Sequence, residues 1–379
     1  MQTSVRFVSA ILLLFDLQVV VAQNSNHHPS NEAEEHLSTG ISAQQRGDLK
    51  TAVEEYRKAL AIQPELPEAR ANLGAALAAS GDFDAAIEED KRALPHAPDK
   101  ISVRMNLALA YYKKGDLRDA RPEFEAVHAA RPQDLRAAML LGYTEVKLGN
   151  AKEAVELLIP FEPGHESNTD LEFVLASALI QSGGENVGLP RMETLANTTH
   201  SADAYVMAGS TRLTRREFKE ARADLDAAVK LNPSIPGLNT LAGQARDALG
   251  DTDAASQAFE AALKEDPKDF LANLYLGAIR LKQRDLVSAR PLLELALELE
   301  PQMPQARLQM AKLNAMTGKN AEAAAALEEL EKADPNWLDP HVELAPIYYK
   351  LHRPGDGQRE RDIVQQIDAQ QQKEGPPKQ

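Results

Sequence analysis

The chain has 379 residues, a formal net charge of −15, 43% hydrophobic and 5% aromatic residues, and no cysteine. Without thiols there are no disulfides, no thiol catalysis and no thiolate metal centre. The acidic balance argues against nucleic acid, whose phosphates call for Lys and Arg.

In residues 1–22 one basic residue, Arg6, precedes an apolar run from Phe7 to Ala22 that Asp16 and Gln18 interrupt. Val20-Val21-Ala22 offers a cleavage site before Gln23. This is the pattern of a secretory signal peptide, and the run is too short and broken for a good membrane span. A retained N-terminal anchor and a mis-assigned start codon are the alternative readings. With the segment removed, no cysteine for lipidation and no second apolar span is left. The expectation is a bacterial periplasmic or secreted protein with no stable membrane anchor. Residues 23–32 are polar and predicted to be a flexible lead-in.

From residue 33 the sequence keeps a beat. Pro64, Pro98 and Pro132 are 34 residues apart, as are Pro233, Pro267, Pro301 and Pro335. Small residues recur at Gly40, Gly74, Ala108, Gly142, Ala176, Gly209, Gly243, Gly277, Ala311 and Ala345. Alanines follow at Ala52, Ala86, Ala120, Ala154, Ala221, Ala255, Ala289 and Ala323. Two helices cross closely only where side chains are small, so one small residue on each helix marks a helical hairpin. Gly47–Asp48, Gly81–Asp82, Gly115–Asp116, Gly149–Asn150 and Gly250–Asp251 read as the turns inside the hairpins. Glycine closes the first helix in the left-handed conformation, and Asp or Asn caps the second. Arg216 and Arg284 replace this glycine at a cost in turn strain. Each proline ends a second helix.

A 34-residue period is the signature of stacked helical hairpins. The repeated small–Gly–Ala–aromatic–Ala–Pro order, with Tyr56, Phe124 and Phe259 as aromatics, resembles the tetratricopeptide repeat family over residues 33–352. Departures are His36, Arg70 and Arg104 where Trp is expected, and Glu166 and His200 in place of two prolines. The resemblance implies an all-α fold: a tetratricopeptide-type α-solenoid, a right-handed superhelix of about nine hairpins plus a C-terminal capping helix. Residues 33–168 make units one to four, 169–201 an irregular fifth unit or joint, and 202–337 units six to nine. Residues 338–371 make a partial unit and the capping helix, and 372–379 a disordered tail.

The middle is irregular. Pro160, Pro163 and Gly164 are expected to shorten one second helix. Gly183, Gly184, Gly188 and Pro190 fall where the next should run. These residues weaken helices, so 160–200 reads either as a loosened joint or as a degenerate but packed repeat.

Signals for chemistry are weak. His27 and His28 lack further ligands, the other histidines have no metal-ligand spacing, and Glu54–Glu55 and Glu88–Glu89 read as helix-surface charge. No phosphate loop or nucleophile elbow is present. The expectation is no cofactor, no metal and no catalysis, with an unrecognised site at the joint as the enzymatic alternative.

In the resembled family the first helix of each unit lines a concave face through its second, fifth, ninth and twelfth positions. In units three to five these positions include Met105, Leu109, Tyr112, Met139, Tyr143, Phe173 and Ile180. They read as an exposed apolar strip for a protein or peptide partner, with aromatic anchors worth about 2 kcal/mol or more each. The competing reading is that the strip packs against the array itself. Asn72 and Asn106 stand where the family binds a peptide backbone, but the lysine of a carboxylate clamp is missing at Ser102. The alternative to an apolar groove is an acidic surface that recruits a basic partner.

Overall fold

The computed structural model describes residues 30–374. The signal-type segment 1–22, the lead-in up to residue 29 and the tail from residue 375 lie outside the described residues. Among the described residues all regular structure is helical. The first ten helices are α1 (Asn31–Gln45), α2 (Leu49–Ile62), α3 (Pro67–Ala79), α4 (Phe83–Ala93), α5 (Lys100–Lys114), α6 (Leu117–Ala130), α7 (Leu135–Leu148), α8 (Ala151–Leu158), α9 (Thr169–Gln181) and α10 (Glu185–Thr199). They are followed by α11 (Ala202–Thr214), α12 (Phe218–Leu231), α13 (Leu238–Ala248), α14 (Thr252–Glu265), α15 (Phe270–Lys282) and α16 (Leu286–Leu299). The last four are α17 (Pro304–Met316), α18 (Asn320–Ala333), α19 (Leu338–Lys350) and α20 (Pro354–Glu374). The α-solenoid architecture expected from the period is the observed one.

Turn chemistry places the helix ends. Gly47, Gly81, Gly115, Gly149 and Gly250 take φ between 77° and 95°. Asp48, Asp82 and Asp285 then accept the backbone N–H groups of Thr51, Ala85 and Ser288 at 3.1–3.2 Å, satisfying donors the helix leaves open. Arg216 and Arg284 adopt the same left-handed turn, each at φ 63°. A side chain there costs about 1–2 kcal/mol relative to glycine.

The chain divides into two compact units between Thr211 and Arg212. In the N-terminal unit α1 to α10 stack in order, each helix touching the next, and first helices also touch one another (α1 with α3, α3 with α5, α7 with α9). In the C-terminal unit α12 to α20 do the same, with α13, α15, α17 and α19 in successive contact. Contacts that reach only near neighbours make each unit quasi-one-dimensional.

Inside eight of the hairpins one large side chain fills the space over one small residue 16 positions earlier. A Cβ added at Gly40 would lie 2.6 Å from the Tyr56 ring, and one at Gly243 would lie 2.6 Å from the Phe259 ring. Tyr56, Phe124, Leu158, Met192, Leu225, Phe259, Leu293 and Leu327 all hold this register and are fully buried. Each such side chain stabilises by about 1.5–3 kcal/mol. Asp90 occupies the same register in the second hairpin, over Gly74.

A second register is polar. His36–Glu55, Arg70–Glu89, Arg104–Glu123 and His341–Glu360 pair the two helices of a hairpin at 2.5–2.8 Å. Glu172–Arg191 repeats the pair with its charges exchanged. Arg70 also donates to the Pro64 carbonyl and Asn273 to the Pro267 carbonyl, and His341 Nε2 lies 3.0 Å from the Pro335 carbonyl. Arg70 and His341 therefore bind the proline turn and the partner helix together.

The structure differs from the sequence reading at the two ends, shows the shortened second helix expected at Pro160, and decides between the two readings of the middle. Helix α1 already begins at Asn31, capped by Ser30, so the lead-in ends earlier. Helix α10 runs unbroken through Pro190. Gly188 lets it rest on α9, where a Cβ would lie 2.8 Å from Ala176 O and Ile180 N. Arg191 holds both Glu172 and Glu162. Packing and charge thus outweigh the local helix-breaking signal, and the fifth hairpin is packed. Helix α8 ends at Leu158 and passes into a 3-10 turn, Ile159–Phe161, that contains Pro160. At the C-terminus α20 packs on α19 as the second helix of a tenth hairpin, so the cap belongs to the repeat.

Candidate protein-binding groove

The strip expected from units three to five is brought together, but as interior. Met105, Leu109, Met139, Tyr143, Phe173 and Ile180 are 1–7% exposed. Met105 and Leu109 belong to the cluster that contains Leu107 and Leu140; Met139, Tyr143, Phe173 and Ile180 belong to the next. Tyr112 is half-buried and packs against both clusters, its ring centroid 6.0 Å from that of Tyr143. Asn72 and Asn106 are fully buried. The expectation of an exposed apolar strip is corrected here. Side chains of α5, α7 and α9 pack on one another, and these residues lie in the apolar clusters they form.

An open cavity of about 560 Å³ lies instead in the C-terminal unit. Its walls come from four first helices, α13, α15, α17 and α19. Tyr275, Ile279, Leu281 and Ile347 supply an apolar floor, and Met316, 41% exposed, stands at the edge. The Tyr275 ring stacks on buried Phe259 with centroids 5.4 Å apart and planes 7° from parallel, which fixes its orientation. Around the floor stand Asp247, Lys282, Arg284, Lys312, Glu343 and Lys350. Lys312 and Glu343 pair at 3.4 Å. Burial pushes the Asp247 carboxyl above its ordinary value, opposed by the nearby Lys282 charge. Burial likewise raises the Tyr275 hydroxyl, with Asp247 adding to it.

Asp247, Ala278, Leu281, Lys312, Ala315 and Pro346 hold the ninth or twelfth positions of their units. The signal that selected the buried strip would have found this groove had it been applied to the later units. Its open space follows from small residues, Ala278 and Ala315, at positions where the N-terminal unit carries Leu109, Tyr112 and Tyr143.

One further cluster has ligand chemistry. Glu331, His341 and Glu360 offer atoms within 4.8 Å of one another. His341 Nδ1 lies 2.7 Å from Glu360 Oε2, and both nitrogens of the ring face acceptors. Arg70 meets Glu89 and Pro64 in the same way, so the arrangement fits a clasp between α19 and α20.

Comparison with known proteins agrees with this geometry. Models of the tetratricopeptide repeat match residues 44–81, 105–158, 202–235, 240–304 and 280–345. A tetratricopeptide repeat protein from Parabacteroides merdae superposes with a TM-score of 0.56 at 18% identity, covering 65% of this chain and 98% of that one. Yeast Tom70 gives 0.37 at 14% identity, covering 89% of this chain and 94% of that one. MamA from Desulfovibrio magneticus gives 0.39 at 22% identity, covering 45% and 96%. No curated protein matches by sequence. The 34-residue beat, the paired helices and the matched repeat models agree: the chain belongs to the tetratricopeptide repeat family.

Proposed function

We propose that the protein is a non-enzymatic scaffold that holds a polypeptide segment of a partner in the groove of its C-terminal unit. The observation that carries this reading is the cavity of about 560 Å³ lined by α13, α15, α17 and α19. Clefts of this size with an apolar floor and a few polar groups around it are the usual form of a binding site. Affinity there comes from a few buried anchors and not from total area. Residues 1–22 support export to the periplasm or beyond the cell, which N-terminal sequencing of the mature protein tests.

The groove itself is tested by site-specific photocrosslinking. A photoreactive residue at Ala278, which lines the cavity, is compared with one at Val287, 86% exposed on α16. Partner adducts at 278 that disappear when Ala315→Trp fills the cavity support the groove. Equal adducts at both positions, or adducts insensitive to Ala315→Trp, reject it.

A further inference from the structure

The charge of the whole chain and the charge around its groove have opposite signs. The chain carries −15, yet Lys282, Arg284 and Lys350 surround the cavity and make no ion pair within 4 Å among the described residues. Lys312 already has Glu343. Asp247 is the remaining acidic group in the lining, and burial weakens its hold on a negative charge. Lys282 and Lys350 lie in the last turns of α15 and α19, where carbonyl ends favour cations. That local preference does not account for Arg284. It stands beyond α15 at φ 63°, in the turn position that most hairpins give to glycine and that Arg216 takes in the hairpin of α11 and α12. Of the two arginines in such turns, only Arg284 lines the cavity. What the arginine adds there is a guanidinium beside an apolar floor.

Resting on the scaffold reading above, we infer that the groove selects an internal acidic segment of a partner chain, with an apolar side chain on the Tyr275–Ile347 floor and carboxylates on Arg284, Lys350 and Lys282. The acidic surface elsewhere repels such a segment, so attraction and repulsion together fix where it lies. The net charge alone suggests a basic partner; the local chemistry reverses that expectation.

The experiment uses the full chain and two fluorescein-labelled peptides of about 15 residues, one of alternating Leu and Glu pairs and one of Leu and Lys pairs, a length suited to groove binding. Fluorescence anisotropy is expected to show the Glu peptide binding about tenfold or more tighter than the Lys peptide at low ionic strength. That preference shrinks as salt rises from about 0.05 to 0.5 M, since exposed charges are screened. Arg284→Glu with Lys350→Glu, both exposed positions, is expected to reverse the preference while leaving the circular dichroism unchanged. A Lys peptide that binds as well or better, an unchanged preference in the double variant, or no binding of either peptide overturns the inference. If photocrosslinks at position 278 persist alongside any of those results, the scaffold reading stands and only its acidic specificity falls. If the crosslinks fail as well, both fall.

Discussion

Asp90 is the residue whose substitution tests the packing argument most directly. Eight other hairpins bury an apolar side chain at its register, and Asp90 is buried just as completely. Neither of its carboxyl oxygens has a hydrogen-bond partner among the described residues. Burial, with Glu89 adding to it, raises its pKa well above the ordinary carboxylate value. The unfolded chain releases this proton near pH 3.9. Between that pH and the folded value the native state holds one more proton than the unfolded state. Stability is therefore present below the unfolded pKa and declines as pH rises, by about 1.4 kcal/mol per unit. Asp90→Asn removes the titration, and Asp90→Leu also supplies the side chain that other hairpins use. The assay is urea unfolding from about pH 4 to 7 with hydrogen exchange read on α3 and α4, because a repeat array need not unfold as one unit. Wild type and Asp90→Asn should lie close near pH 4 and diverge by about 1.4 kcal/mol per unit above it, with Asp90→Leu the most stable at neutral pH. Parallel stability curves for wild type and Asp90→Asn across that range would refute the buried-carboxyl argument.

His341→Ala should destabilise by about 1–3 kcal/mol, because Glu360 Oε2 loses its buried partner while Arg359 keeps Oε1; exchange in α20 will report it, and His341→Arg should recover most of the loss if the clasp resembles Arg70–Glu89. Gly243→Ala should lose about 1–3 kcal/mol by overpacking against Phe259, measured by thermal unfolding. Arg216→Gly should gain about 1 kcal/mol in the same assay by relieving the left-handed turn. Phe173→Ala should lower the urea midpoint by an equivalent of about 3–5 kcal/mol, as a core truncation does; an unchanged midpoint would return Phe173 to the surface.

The hairpin array was legible because its causes are local. Gly47–Asp48 and its repeats encode turn and cap within two adjacent residues. The Gly40–Tyr56 and Gly243–Phe259 contacts lie at a fixed separation inside one hairpin. Such relations leave a period in the sequence. Pro190 left the fifth unit open between two readings because a proline acts on its own turn, whereas Gly188 and Arg191 act through α9, which a local reading does not weigh.

The sequence by itself therefore determined the repeat, the helix pairs, the turns and the family. Tertiary structure alone decided which groove positions are open. Met105 and Tyr143 are buried while Ala278 and Ala315 border a cavity, although all hold comparable places in their units. Openness depends on the summed size of side chains from several successive first helices, and no single repeat contains that sum. The sign of the groove's charge has the same origin: Lys282, Arg284 and Lys350 come from two hairpins that folding brings around one floor.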